Sequence, residues 1–315
     1  MQKSYKKLNI VAAIFGFAII AAFIIVGSFL DYDISSSLYN AENPGFFAIF
    51  GSIAAQAPTF LGVTFAGALL LIVREIDTLK EKKNYRILLL LAGIGFIALG
   101  TFFSFYYALK LKDFANIGKG TKYFIYLALA VVICLGLNFL IVFATLKSKN
   151  RFNLRKAAVV ALFILLVVGI EVLIYQALKV IISRPRPRYI FSLEEPLRIY
   201  QNWWDLSHPF KAFVDENCKS CPSGHASNAM ALPFILVAVS YLFKDMKFSV
   251  KLTVFVIGYL WAVIWAFSRI CAGAHFFSDI GLGMLISFIT GVVLWNFFVR
   301  KYKIDKFDEA KIENK

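Results

Sequence analysis

Three short stretches in the second half of the chain set two histidines, an aspartate and three cations at spacings suited to phosphoryl transfer. They are Lys179 with Arg186-Pro187, then Pro222-Ser223-Gly224-His225, then Ser268-Arg269 with His275 and Asp279. Only three histidines occur in the 315 residues, and two of them fall inside these stretches. Histidine is the side chain best suited to moving protons or accepting a phosphoryl group near neutral pH.

Each stretch admits a chemical and a structural reading. Pro185 and Pro187 stop a helix soon after Ser183, which places Lys179 at a helix end with Arg184, Arg186 and Arg188 just beyond. Such a cluster either holds an anion or snorkels at a membrane interface. Ser223 is a good N-cap, and Gly224 lets a ligand approach the first free amides of the following helix, with His225 beside them. The alternative is an ordinary capped helix start. His275 and Asp279 are four residues apart, so on one helix the carboxylate can accept a hydrogen bond from the imidazole and fix its tautomer. A buried pair with structural duties only is the other reading.

The elements that must position these residues are membrane helices. Hydrophobic residues make up 60% of the chain, phenylalanine alone accounts for 33 residues, and mean hydropathy is +0.72, far from a soluble globular domain. Eight apolar runs, at about 8–30, 57–73, 87–108, 122–146, 157–178, 226–243, 252–268 and 280–299, approach the ~20 residues needed to cross a bilayer. The runs are continuous and do not alternate, so the expected fold is all-α, a polytopic transmembrane bundle and not a barrel. The first run is followed by Asp31-Tyr32-Asp33 and no clear small-residue cleavage site, and reads as a retained anchor.

Basic residues distribute by loop. Lys3, Lys6 and Lys7, then Arg74, Lys80, Lys82, Lys83 and Arg86, then Lys147, Lys149, Arg151, Arg155 and Lys156, then Lys244, Lys247 and Lys251, and finally Arg300 and Lys301 fall on one side, the cytoplasmic one by the positive-inside rule. The loops 31–56, 109–121, 179–225 and 269–279 then share the outer side, and all three motif stretches lie there. A net charge of +15 is accounted for by these loops facing an anionic leaflet, so no nucleic-acid partner is expected.

Eleven residue identities hold at fixed internal spacings across residues 179–279. This resembles the signature of the type 2 phosphatidic acid phosphatase (PAP2) superfamily, which includes bacterial lipid phosphatases, glucose-6-phosphatases and vanadium haloperoxidases. The resemblance implies His275 as the nucleophile on phosphorus, Asp279 as the residue that orients it, and His225 as the general acid on the leaving oxygen. It implies Lys179, Arg186, Ser223, Gly224 and Arg269 as holders of the phosphate oxygens, with no metal and no other cofactor. It also implies a six-helix core, so residues 1–110 would include an added pair of spans, 111–300 the catalytic bundle and 301–315 a cytoplasmic tail.

The expected activity is hydrolysis of a lipid phosphate or diphosphate of the phosphatidic acid, phosphatidylglycerol phosphate or undecaprenyl diphosphate class through a phosphohistidine. A phosphatase for a soluble ester such as glucose 6-phosphate, or an anion transporter, is the alternative. The composition points to a multi-pass protein of a bacterial cell membrane, whose partners are the bilayer and its lipid substrate, and nothing in it sets an oligomeric state. Cys218 and Cys221 form a Cys-x-x-Cys that reads as a disulfide, a metal half-site or two thiols. Trp203, Trp204 and His208 occupy the long loop before Cys221, as interfacial anchors or as a lid. Glu171, deep in an apolar run, reads as a structurally paired acid.

Overall fold

The computed structural model describes residues 2–42, 45–76, 79, 82–110, 121–243 and 246–302. Lys80, Lys244, the loop residues 111–120 and the tail from 303 onward lie outside the described residues, as do the side chains of Lys3, Lys6 and Lys7. Eight long helices carry the described chain: α1 (Gln2–Leu38), α2 (Gly45–Val73), α3 (Lys83–Leu109), α4 (Thr121–Lys147), α5 (Leu154–Ile182), α6 (Gly224–Ser240), α7 (Phe248–Cys271) and α8 (Phe277–Tyr302). Seven are long and apolar enough to cross a membrane. The eighth, α6, has 17 residues and spans about 25 Å, slightly less than a hydrocarbon core.

Helices outrun the apolar runs where polar residues find buried partners. α1 continues through Asp31 to Leu38, and α2 begins at Gly45, well before the apolar run at 57. Asp31 and Gln56 are buried: Asp31 meets Arg184, and Gln56 is hydrogen-bonded to Asn228 of α6. Satisfied polar groups are tolerated inside a bundle.

Local signals set the ends of the helices that frame the site. Asn153 caps α5, its side-chain oxygen accepting the amides of Arg155 and Lys156 at 3.0 and 3.3 Å. At the other end Ser183 takes a left-handed conformation, φ 49°, and its hydroxyl accepts the amide of Ala212 at 3.0 Å. A single helical turn, Pro187–Ile190, follows with proline at its start.

α5, α6, α7 and α8 pack together, with α2 lying against α5, α6 and α7, and α1 against α8 and α7. α3 and α4 lean on α2 and on each other, turning Leu88, Leu91, Phe124, Val132 and Phe139 outward. α1 and α2 therefore sit against the motif-bearing helices, while α3 and α4 stand outside them. A polar clamp holds that pair to α2: Thr64 Oγ1 donates to Asn138 Oδ1 at 2.5 Å, and Asn138 Nδ2 donates to Ser104 Oγ at 2.7 Å.

Candidate active site

The end of α5, the start of α6, the end of α7 and the start of α8 meet at one end of the bundle, and the three stretches meet with them. Lys179, in the last turn of α5, is buried, and its Nζ donates to the carbonyl of Lys219 at 2.8 Å. A snorkelling lysine would be solvated, so that reading is set aside. Arg186 donates to the carbonyls of Glu216 and Ala274 at 3.2 and 3.3 Å. Arg269, fully buried at the end of α7, donates through Nη1 to the carbonyl of Ala48 on α2 at 2.9 Å.

Ser223 caps α6 as expected, its Oγ accepting the amide of Ala226 at 3.2 Å, while its own amide donates to the carbonyl of Asp279 at 2.9 Å. Gly224 also answers a packing need. A Cβ there would come within 2.8 Å of the Tyr175 ring, so the absent side chain makes room for α5 on that face.

His225 opens α6 and faces His275, with ring centroids 5.7 Å apart and planes tilted by 57°. His275 lies in the α7–α8 connection. Its Nδ1 is 2.7 Å from the carbonyl oxygen of Ser220. A carbonyl only accepts, so Nδ1 carries the proton and Nε2 keeps the lone pair of the neutral ring. That Nε2 is buried and has no hydrogen-bond partner among the described residues. Burial holds the imidazole well below its usual pKa, and the charges of Lys179, Arg186, His225 and Arg269 add to the effect.

Asp279 does not bond to His275, which corrects the expected direct pairing. His275 precedes α8 while Asp279 lies in its first turn, so the two do not share the helical face that four-residue spacing requires. Asp279 Oδ1 accepts Arg184 Nη1 at 2.7 Å, and Oδ2 accepts Ser220 Oγ at 2.5 Å and the amide of Phe276 at 2.9 Å. The link between carboxylate and imidazole thus runs through one residue, Ser220.

Arg184, Ser220 and Asp31 were not singled out by spacing. Arg184 is fully buried, paired with Asp279 at 2.7 Å and with Asp31 at 3.0 Å, and its guanidinium lies 4.1 Å from the centre of the Phe276 ring. The available signal was weak: one arginine among three in a proline-rich turn, and an acid ending an apolar run.

Residues 160–303 match the family model described as the PAP2 superfamily. The chain carries a PAP2 domain. No curated protein and no solved structure matches. That domain is of the PAP2 phosphatase type, and it is carried by a multi-pass helical membrane protein. The PAP2 match begins inside α5 and ends with α8, so it contains all eight residues assigned from the motifs and none of α1 to α4.

Around the PAP2 site, Cys218 and Cys221 are both free and buried, so the disulfide is not formed. Burial and then Asp215 push the Cys218 thiol up to about 11, and burial raises Cys221 well above its usual range, which keeps both protonated and unreactive. Among the described residues no three His, Cys, Asp or Glu side chains converge as metal ligands would. The loop that carries the tryptophans is tied down by Trp203 Nε1, which donates to Ser28 Oγ of α1 at 3.0 Å; His208 is exposed. Glu171 is fully buried and accepts from Ser227 Oγ of α6 at 3.3 Å, a hydroxyl partner and not a cation.

Proposed function

We propose that this protein removes a terminal phosphate from a membrane lipid phosphate or diphosphate through a phosphohistidine formed on His275. The observation that carries this reading is the state of that ring. Its Nδ1 proton is committed to Ser220, and its Nε2 lone pair is buried opposite His225 in the field of Lys179, Arg186 and Arg269.

In the first step Nε2 attacks phosphorus, the P–O bond to the leaving group breaks, and His225, which takes up a proton from solvent as the phosphate anion binds beside it, delivers that proton to the leaving oxygen. In the second, neutral His225 takes a proton from water as that water attacks phosphorus. The P–N bond breaks and phosphate departs, returning both imidazoles to their starting states. Lys179, Arg186, Arg269, the Ser223 hydroxyl and the amides at the start of α6 would hold the equatorial oxygens, where positioned positive charge does most for phosphoryl transfer. Asp279 acts at one remove, by fixing Ser220.

Two features support a lipid. The distribution of basic loops supports an outer-leaflet position for this end of the bundle. An apolar cavity of about 400 Å³ between α2, α4, α6 and α7 is lined by Leu61, Phe65, Leu232, Leu236 and Trp261. Leu232 and Leu236 lie on α6 roughly 10 and 16 Å along the helix from His225, a depth suited to an acyl or prenyl chain.

The test is phosphate release by detergent-purified protein in excess chelator, with phosphatidic acid, phosphatidylglycerol phosphate, undecaprenyl diphosphate and glucose 6-phosphate as substrates and His275→Ala alongside. Turnover of a lipid that the variant abolishes supports the proposal. Preference for glucose 6-phosphate would overturn the lipid assignment, and phosphate binding without turnover would favour anion transport.

A further inference from the structure

The ion pair that fixes Asp279 is completed from outside the PAP2 domain. Asp31 lies near the end of α1, among residues the family match does not reach. Its Oδ2 is 3.0 Å from Arg184 Nη2, and its Oδ1 accepts the amide of Ser278 at 2.8 Å; the Ser278 hydroxyl is bonded to it as well. The other terminal nitrogen of the same guanidinium, Nη1, meets Asp279 Oδ1 at 2.7 Å and Ser278 Oγ at 2.9 Å. Asp31, Arg184 and Asp279 are each at most 1% exposed.

The approach of α1 to this point is built in. Gly27, one helical turn before Asp31, lies so close to α8 that a Cβ would stand 2.4 Å from the Ser278 amide nitrogen. Only glycine lets the two backbones close to that separation, and the close approach brings the Asp31 carboxylate to the first turn of α8.

Resting on the proposed phosphohistidine chemistry, we infer that Asp31 is a positioning residue for the reaction, holding Arg184 so that Asp279 keeps Ser220, and through it His275, in place. The chain of contacts is continuous: Asp31 to Arg184, Arg184 to Asp279, Asp279 to Ser220 Oγ at 2.5 Å, and Ser220 O to His275 Nδ1 at 2.7 Å. The guanidinium is shared between two carboxylates, one per terminal nitrogen, as its fork geometry allows. Without the Asp31 charge, both nitrogens turn to Asp279, and the carboxylate is drawn from Ser220. A displaced Ser220 carbonyl releases the Nδ1 proton that sets which nitrogen of His275 can attack. α1 is therefore part of the catalytic apparatus and not an anchor alone.

The experiment compares wild type, Asp31→Asn and Asp31→Glu in detergent by three readouts. Turnover is expected to fall about 10- to 100-fold in Asp31→Asn, the cost of a small misplacement of a reacting group, with KM unchanged. Asp31→Glu, which keeps the charge, should recover part of the loss and serves if Asp31→Asn does not fold. Affinity for inorganic phosphate as a competitive inhibitor should be unchanged in both, since the phosphate-holding cations are untouched. Histidine-labelled NMR needs no substrate: with only three histidines in the chain, the His275 signal should shift in Asp31→Asn while exposed His208 stays fixed.

Lower thermal stability with kcat and the His275 signal unmoved would overturn the inference and leave Asp31 purely structural. Loss of inorganic phosphate affinity in step with kcat would overturn it as well, by showing a collapsed site. Wild-type protein that turns over no phosphate ester would sink the proposed chemistry, while the NMR comparison would still decide whether Asp31 positions His275.

Discussion

His275 faces Ser220 across 2.7 Å, imidazole Nδ1 to carbonyl oxygen, and the hydroxyl of the same serine reaches Asp279 at 2.5 Å. The proposed nucleophile is thus oriented by main chain, and the carboxylate expected to grip it grips the serine instead. Ser220→Ala keeps the carbonyl and loses the hydroxyl. Asp279 would keep Arg184 and the Phe276 amide but lose one charge-assisted bond, worth ~1.5–3 kcal/mol when made to a charged group. A fall in kcat of about 10-fold with KM unchanged is expected, read by steady-state kinetics on the lipid found to turn over. A silent Ser220→Ala would mean that Asp279 does not act through this residue.

The pH dependence follows from the depressed basicity of His275. Burial and the surrounding cations disfavour its imidazolium, so the nucleophile stays neutral well below the ordinary histidine value of ~6.5. The acid limb of kcat/KM assigned to this group should accordingly lie below that value. Lys179→Met removes a positive neighbour, makes protonation less costly and should move the limb upward. The same linkage bears on stability: below about pH 6.5 an unfolded His275 binds a proton that the folded one refuses, so stability is full above that point and declines as pH falls toward the folded value. An acid limb that does not move in Lys179→Met would detach the profile from His275.

Arg186 and Arg269 should not accept lysine. Arg186 already uses its guanidinium on the carbonyls of Glu216 and Ala274, and Arg269 uses Nη1 on Ala48. A planar group with five donors can keep those bonds and still present N–H groups to phosphate, whereas an ammonium cannot serve both. Orthovanadate inhibition is expected to weaken about 10-fold in Arg186→Lys and Arg269→Lys, at roughly 1.4 kcal/mol per tenfold change. Unchanged inhibition would remove these arginines from the phosphate site.

Much of this was legible in the chain because single-residue rules carried it. Pro185 ends α5, Ser223 caps α6, and apolar length gives the order of eight helices. The pairing of His275 with Asp279 was misread because four-residue spacing places two groups on one face only when both are helical, and α8 begins between them. Asp31 gave only the weak signal of an acid ending an apolar run: its meaning depends on a guanidinium 153 residues away, and no local rule carries that distance. Gln56 is similar, a polar residue just outside the apolar run at 57–73 that lies buried against Asn228. Nor did apolar runs reveal which pair stands outside, since hydropathy measures whether a helix enters the membrane and says nothing about which neighbour it meets there.

The outer pair gives the last prediction. Asn138 of α4 accepts from Thr64 of α2 and donates to Ser104 of α3 and to the carbonyl of Cys134, so one amide joins three helices away from the chemistry. Interhelical hydrogen bonds in membranes are worth ~0.6 kcal/mol each on average, with a maximum near ~1.7. Asn138→Leu removes two of them and leaves Thr64 and Ser104 to find other partners, for a loss of about 1–2 kcal/mol. Tm in detergent should therefore fall. Because α3 and α4 reach the motif-bearing helices chiefly through α2, kcat measured below the transition should not change. A variant with normal Tm and reduced kcat would place α4 in the catalytic unit, beyond its part in walling the apolar cavity.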